Sequence, residues 1–252
     1  IILAFGFLYF YLQNHLSIKD WRFDKKVATS LLKNSWPLIL SGAIISIYMK
    51  IDQVMIKEML NTEAVGQYAA AVRLSEAWYF IPMVITSSLF PAIINAKKQS
   101  KALYRERLQK LYDLMAWLSV IIALPMSFMS DWIVNLLYGG EYNQAGSVLI
   151  IHIWAGLFVS LGSVRGKWIL IQNLQKYTPV YLGVGLISNI FLNYLLIKTH
   201  GINGAAYATL LAQIIGTLVA PIFFKKTRIS FFMMVRSLFF LNTFKKTMLF
   251  KV

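Results

Sequence analysis

Six blocks of almost unbroken apolar sequence decide what this chain can become. They lie near 36–57, 67–95, 111–129, 146–171, 179–197 and 202–224, and a shorter run occupies 1–12. Each of the six is close to or above the roughly 20 residues an α-helix needs to cross a hydrocarbon core about 30 Å thick. Inside lipid a segment must satisfy its own backbone donors and acceptors, so blocks of this kind become helices. Composition agrees, with 58% hydrophobic and 14% charged residues, where a water-soluble domain carries about 25% charged. The apolar residues come in blocks and not in helical stripes, so the expected fold class is all-α, a polytopic membrane helix bundle. There are no cysteines, which excludes a disulfide framework, a cysteine nucleophile and thiolate metal sites.

The run 1–12 would span only about 18 Å as helix and is expected to be the end of a longer transmembrane helix. It lacks a basic leader and a small-residue cleavage site, so no signal peptide is expected, and the chain reads as the C-terminal part of a larger transporter. Residues 13–35 carry Lys19, Arg22, Lys25, Lys26 and Lys33 among Ile18, Trp21, Val27, Leu31 and Leu32, the pattern of an amphipathic interfacial linker. The tail 225–252 alternates basic residues with Phe231, Phe232, Met233 and Met234, and Arg236 divides it, so it too is expected to lie in the interface.

The basic residues orient the bundle. Of 25 Lys and Arg, nineteen fall in one alternate set of loops (13–35, 96–110, 172–178 and the tail) and only Lys57 and Lys198 in the other set. Positive charge collects on the cytoplasmic side of membrane proteins, so linker, 96–110 loop and tail are expected there. The net charge of +15 is then a membrane-topology signal, and no nucleic-acid partner is expected.

Four charges stand inside the first two blocks, Lys50 and Asp52 on one and Arg73 and Glu76 on the next. With the turn at Asn61-Thr62-Glu63 outside the membrane, Lys50 and Asp52 lie about 8–10 Å below the surface and Arg73 and Glu76 about 9–14 Å. Two readings are open. The charges are structural ion pairs, Arg73 and Glu76 being three apart on one helical face, or they line a central cavity in which a cation meets an anionic substrate. Lys50 and Asp52, about 200° apart, point in different directions. Arg165 and Lys167 near the end of the fourth block either snorkel to headgroups or form a basic vestibule, and these six residues are the candidate substrate-binding set.

Other features receive plainer readings. His152, among Ile150, Ile151, Ile153 and Trp154, is expected to be buried and bonded to a neighbouring helix. Asp113 is expected near a helix start, where a carboxylate suits the dipole. Gly183-Val184-Gly185-Leu186-Ile187-Ser188 sits in mid-span without a preceding strand and is no dinucleotide loop. No catalytic constellation, metal site or cofactor motif emerges, and no enzyme is expected.

Three stretches carry a resemblance: Ser35-Trp36-Pro37-Leu38-Ile39-Leu40-Ser41-Gly42, Tyr48-Met49-Lys50-Ile51-Asp52-Gln53, and Val65-Gly66-Gln67-Tyr68-Ala69-Ala70-Ala71-Val72-Arg73-Leu74-Ser75-Glu76. Together with Trp78-Tyr79-Phe80-Ile81-Pro82, Phe90-Pro91-Ala92-Ile93, Tyr138-Gly139-Gly140-Glu141-Tyr142 and Gly201-Ile202-Asn203-Gly204-Ala205-Ala206, they resemble the bacterial O-antigen and polysaccharide flippases of the MATE-like exporter superfamily. The resemblance implies two six-helix lobes around a central cavity. Residues 36–224 would be the second lobe, preceded by the end of a first-lobe helix (1–12) and the linker. It also implies a lipid-linked oligosaccharide substrate, carried on polyprenyl pyrophosphate across the bacterial inner membrane by alternating access. Implied partners are membrane lipids, the first lobe and a polysaccharide polymerase. Rival readings are a cation-coupled drug exporter of the same superfamily, which would favour acidic cavity residues, and a membrane-embedded glycan polymerase.

Overall fold

The structure is a computed structural model that describes residues 2–13 and 22–239. The chain divides into two units, Ile1–Trp36 and Pro37–Val252. The first contains α1 (Ile2–Gln13) and the beginning of α2 (Lys25–Met59). Asp24 starts α2 by accepting from the backbone N–H groups of Lys26 and Val27, as an N-cap does. The expected linker is therefore helical from Lys25 and joins the first block without a break, while 14–21 and 240–252 lie outside the described residues.

In the second unit, Asn61 and Ser100 cap the helices that open at Thr62 and Lys101. Asn61 accepts from Ala64 N at 2.8 Å and opens α3 (Thr62–Glu76). After the turn at 77–79 comes α4 (Phe80–Gln99), and Ser100 then opens α5 (Lys101–Phe128) by accepting from Leu103 N at 3.1 Å. That cap starts α5 ten residues before the apolar block, which corrects the placing of Asp113. It is a mid-helix residue accepting from Gln109 Nε2 at 2.8 Å, not a helix-start carboxylate. Short α6 (Ser130–Tyr138) and α7 (Ala145–His152) precede α8 (Ala155–Ile171). Then α9 (Thr178–Ile214) passes into a π-helical turn at Ile215–Val219, and α10 (Arg228–Leu238) closes the described chain.

Among the described residues five helical stretches are long and apolar enough to cross a membrane, and the chain is a multi-pass membrane protein. The last, Gln175–Phe223, has 49 residues, about 74 Å of helix and more than twice one bilayer core. It doubles back at Gly201, whose φ of 56° and ψ of −137° break the helix, restoring the two crossings expected at 179–197 and 202–224. A Cβ on Gly204 would sit 2.1 Å from the carbonyl oxygen of Leu196, so the returning helix can start there only without a side chain. Gly201→Ala is expected to cost about 1–3 kcal/mol for a strained backbone, read as a lowered thermal midpoint of the detergent-purified protein, with Gly204→Ala at least as severe.

Two apolar clusters hold the unit. One gathers Ile56, Tyr68, Val72, Leu149, Ile153 and Ile197, and the other Leu108, Tyr112, Met115, Leu161, Trp168 and Met234. Large apolar residues such as Ile47, Met83, Ile121, Ile187 and Phe191 are exposed, a surface that lipid solvates and water does not. The tail helix α10 is docked on α5, with Met234 buried and Ser230 Oγ 2.9 Å from Tyr112 Oη.

Candidate functional site

Between the two clusters lies a cavity of about 340 Å³, walled by residues of α2, α3, α8, α9 and the π turn, with His152 of α7. Three of the six candidate residues, Asp52, Glu76 and Arg165, are on its wall. Asp52 is buried and accepts from Tyr68 Oη at 2.7 Å, from Asn193 Nδ2 at 2.6 Å and from Thr209 Oγ1. Those donors come from α3 and from both arms of the α9 hairpin, so the turn at Gly201 is what brings Asn193 and Thr209 to one carboxylate. Asn193 also donates to Asn189 Oδ1 at 3.1 Å. A buried carboxylate needs its lone pairs satisfied, and here neutral donors satisfy them.

Arg165 is also buried. Its Nη1 donates to the carbonyl oxygens of Gly216 at 2.9 Å and Thr217 at 2.6 Å, and its guanidinium lies 4.8 Å from the centre of the Tyr181 ring. A π turn widens the helix and redirects its carbonyls, which lets a side chain of α8 reach them. Close packing assists. A Cβ on Gly216 would meet Gly185 Cα at 3.1 Å, so of the mid-span glycines Gly185 serves helix contact, whereas Gly183 faces open space. Tyr181 is held in turn by donating to Thr227 Oγ1 at 2.7 Å. Arg165 has no carboxylate partner among the described residues.

The other three candidates lie off the cavity wall. Lys50 and Arg73 are exposed; Lys50 is on the opposite side of α2 from Asp52, as their angular separation requires. Among the described residues no ion pair joins Arg73 to Glu76 or Lys50 to Asp52, so the pairing reading does not describe this structure. Lys167, two residues from Arg165, turns away from the cavity and lies 5.4 Å from the centre of the Phe90 ring.

His152 is buried with Nδ1 2.8 Å from Ser75 Oγ of α3, the neighbouring-helix bond expected of it, and its ring meets Tyr68 edge to face at 6.1 Å. Tyr48 and Tyr68 lie in stretches that carry the family resemblance but have no charge to mark them, and Tyr181, Asn189, Asn193 and Thr209 have neither mark. Asn189 and Asn193, four apart in a membrane span, were the available signal, because amides at that depth require partners on another helix. The Tyr48 hydroxyl on the cavity wall is buried without a protein partner. The site thus offers, among the described residues, one guanidinium without a carboxylate partner, two carboxylates and the rings of Tyr48, Tyr68, Tyr79 and Tyr181 in a membrane-embedded chamber, a set suited to holding an anionic, sugar-bearing group.

Comparison with known proteins agrees in kind. Residues 2–147, more than half of the chain, match the family described as "Polysaccharide biosynthesis protein". The chain is 24% identical over 198 residues to the "Probable low-salt glycan biosynthesis flippase Agl15" of Haloferax volcanii, covering 77% of this chain and 41% of that protein. It is 20% identical over 191 residues to the "Capsular polysaccharide biosynthesis protein CapF" of Staphylococcus aureus, covering 75% of this chain and 48% of that one. The chain spans less than half the length of these relatives. Among solved structures, lipid II flippase MurJ in an inward closed conformation superposes with a TM-score of 0.63 at 18% identity, over 91% of this chain and 52% of that one. The fold is therefore MurJ-like, and by its match over 2–147 the chain belongs to the polysaccharide biosynthesis protein family.

Proposed function

We propose that this chain is the second lobe of a flippase that carries a polyprenyl-pyrophosphate-linked oligosaccharide across the bacterial inner membrane by alternating access, its C-terminus on the cytoplasmic side. The observation that carries the reading is Arg165, a buried cation on a membrane-embedded cavity with no carboxylate partner among the described residues. A guanidinium offers charge-assisted bonds to phosphate oxygens, and tyrosine rings offer faces to sugars. About 340 Å³ suits the headgroup end of the substrate, while its lipid tail stays in the bilayer. Lys50 and Arg73, exposed on this lobe, would line the wider path completed by the first lobe, and a polysaccharide polymerase would receive the product. The name of one relative, a probable glycan biosynthesis flippase, favours transport over catalysis.

The test is complementation of a flippase-deficient host with the full-length gene. Arg73→Ala is expected to lower surface glycan about tenfold, as loss of one charge-assisted contact would, with membrane levels of the protein unchanged. Equal loss of protein and glycan would overturn the assignment of Arg73. A second reading, cation-coupled drug export, draws on the buried acid Asp52. Drug resistance without restored glycan in the same host would favour it.

A further inference from the structure

At the far ends of α4 and α8 a second cavity, about 460 Å³, is walled by Phe90, Ile94, Lys97 and Lys98 of one helix and Leu170 and Ile171 of the other. Its apolar floor and its basic rim are separate. Lys97 Nζ donates to the Ile171 carbonyl oxygen at 2.8 Å and so closes the end of α8. Lys167 reaches over the Phe90 ring from the α8 side, and Lys98 is exposed with no acceptor among the described residues. Among the described residues no carboxylate pairs with them. The sequence contains no Asp or Glu between Ala77 and Arg105, and none after Glu141. Glu106, the nearest acid along the chain, is taken by Lys110 at 2.7 Å.

We propose that this groove is a binding site for one anionic phospholipid, its phosphate held by Lys98 and Lys167 and its acyl chains laid along Phe90, Ile94 and Leu170. Basic pockets between membrane helices on the positively charged side recognise such headgroups. Lysines that merely snorkel need no apolar cleft beneath them. This groove supplies both, an apolar lining of Phe90, Ile94, Leu170 and Ile171 with Lys98 beside it, and Lys167 over the Phe90 ring. The site is independent of what the central cavity carries, because it shares no lining residue with that cavity.

Native mass spectrometry of the full protein in neutral detergent tests the proposal, with phosphatidylglycerol and phosphatidylcholine of identical acyl chains added at equal concentration. The wild type is expected to retain one phosphatidylglycerol about tenfold more tightly than phosphatidylcholine. Lys98→Gln with Lys167→Gln should abolish the preference, Ile94→Trp should reduce retention while leaving every charge in place, and Lys225→Gln with Lys226→Gln should change nothing. An unchanged thermal midpoint without added lipid identifies the variants as folded. Equal loss in the Lys225 and Lys226 variant would assign the preference to general surface charge and overturn the site. Tighter retention of polyprenyl phosphate than of phosphatidylglycerol in the same groove would overturn it in favour of the substrate.

Discussion

Replacing Arg165 with alanine in the full-length transporter is expected to cut glycan export by tenfold to a hundredfold. The range follows from a charge-assisted hydrogen bond, about 1.5–3 kcal/mol. Two effects combine in that substitution. The cavity loses its buried cation, and the carbonyls of Gly216 and Thr217 lose the donor that now satisfies them. The second effect alone would lower thermal stability, by about 1 kcal/mol for each net hydrogen bond. Arg165→Lys separates the two. It keeps a positive charge on α8 but gives up the planar fork that reaches two carbonyls and lies against Tyr181. Export by Arg165→Lys well above Arg165→Ala, at similar thermal midpoints, assigns the residue to the anionic cargo. Indistinguishable export at matched loss of stability makes Arg165 a clamp on the π turn.

Why that arginine was only half legible in the sequence follows from what its neighbours are. Helical crossings announce themselves through length and hydropathy, so the blocks at 36–57 and 111–129 and the return near Gly201 could be read directly. Helix starts set by a single side chain were harder. Ser100 moves the start of α5 far ahead of its apolar block, and Asp24 draws the linker into α2, neither of which hydropathy registers. For the site, charge was the guide, and it pointed to Asp52, Glu76 and Arg165 on the cavity wall as readily as to Lys50, Arg73 and Lys167 off it. A formal charge says nothing of which way a side chain turns on its helix. Lys167 shows this: two residues from Arg165, it lies over Phe90. The partners of Asp52 were hidden for another reason. Tyr68, Asn193 and Thr209 are neutral, up to 157 positions away, and become neighbours only after the α9 hairpin closes.

That hairpin sets up the sharpest separation of structure from mechanism. Asp52→Ala removes the shared acceptor of three hydrogen bonds, from Tyr68, Thr209 and Asn193, and leaves Asn193 only its bond to Asn189. Side-chain hydrogen bonds within membrane helices average about 0.6 kcal/mol and reach about 1.7, so three together are expected to cost about 2–5 kcal/mol. Asp52→Asn should be far gentler. The introduced oxygen still accepts from Tyr68 and Thr209, while the introduced NH2 meets the NH2 of Asn193. Asn193 Oδ1 is buried and unbonded at present, so turning that amide over converts the conflict into a bond. Turning Asn189 in the same way restores the link between the two amides, at the loss of the 3.4 Å bond from Asn189 Nδ2 to Thr209 Oγ1, and the single Thr209 proton then goes either to the introduced oxygen or to Asn189 Oδ1. The packing then survives with the negative charge gone. The expected result is a thermal midpoint close to wild type for Asp52→Asn, a large fall for Asp52→Ala, and export reduced at least tenfold in both, in line with loss of a charged partner. Normal export by Asp52→Asn would mean that the Asp52 carboxylate serves only to tie α2 and α3 to the hairpin, and that Arg165 and Glu76 are the charged groups of the chamber left to meet the cargo.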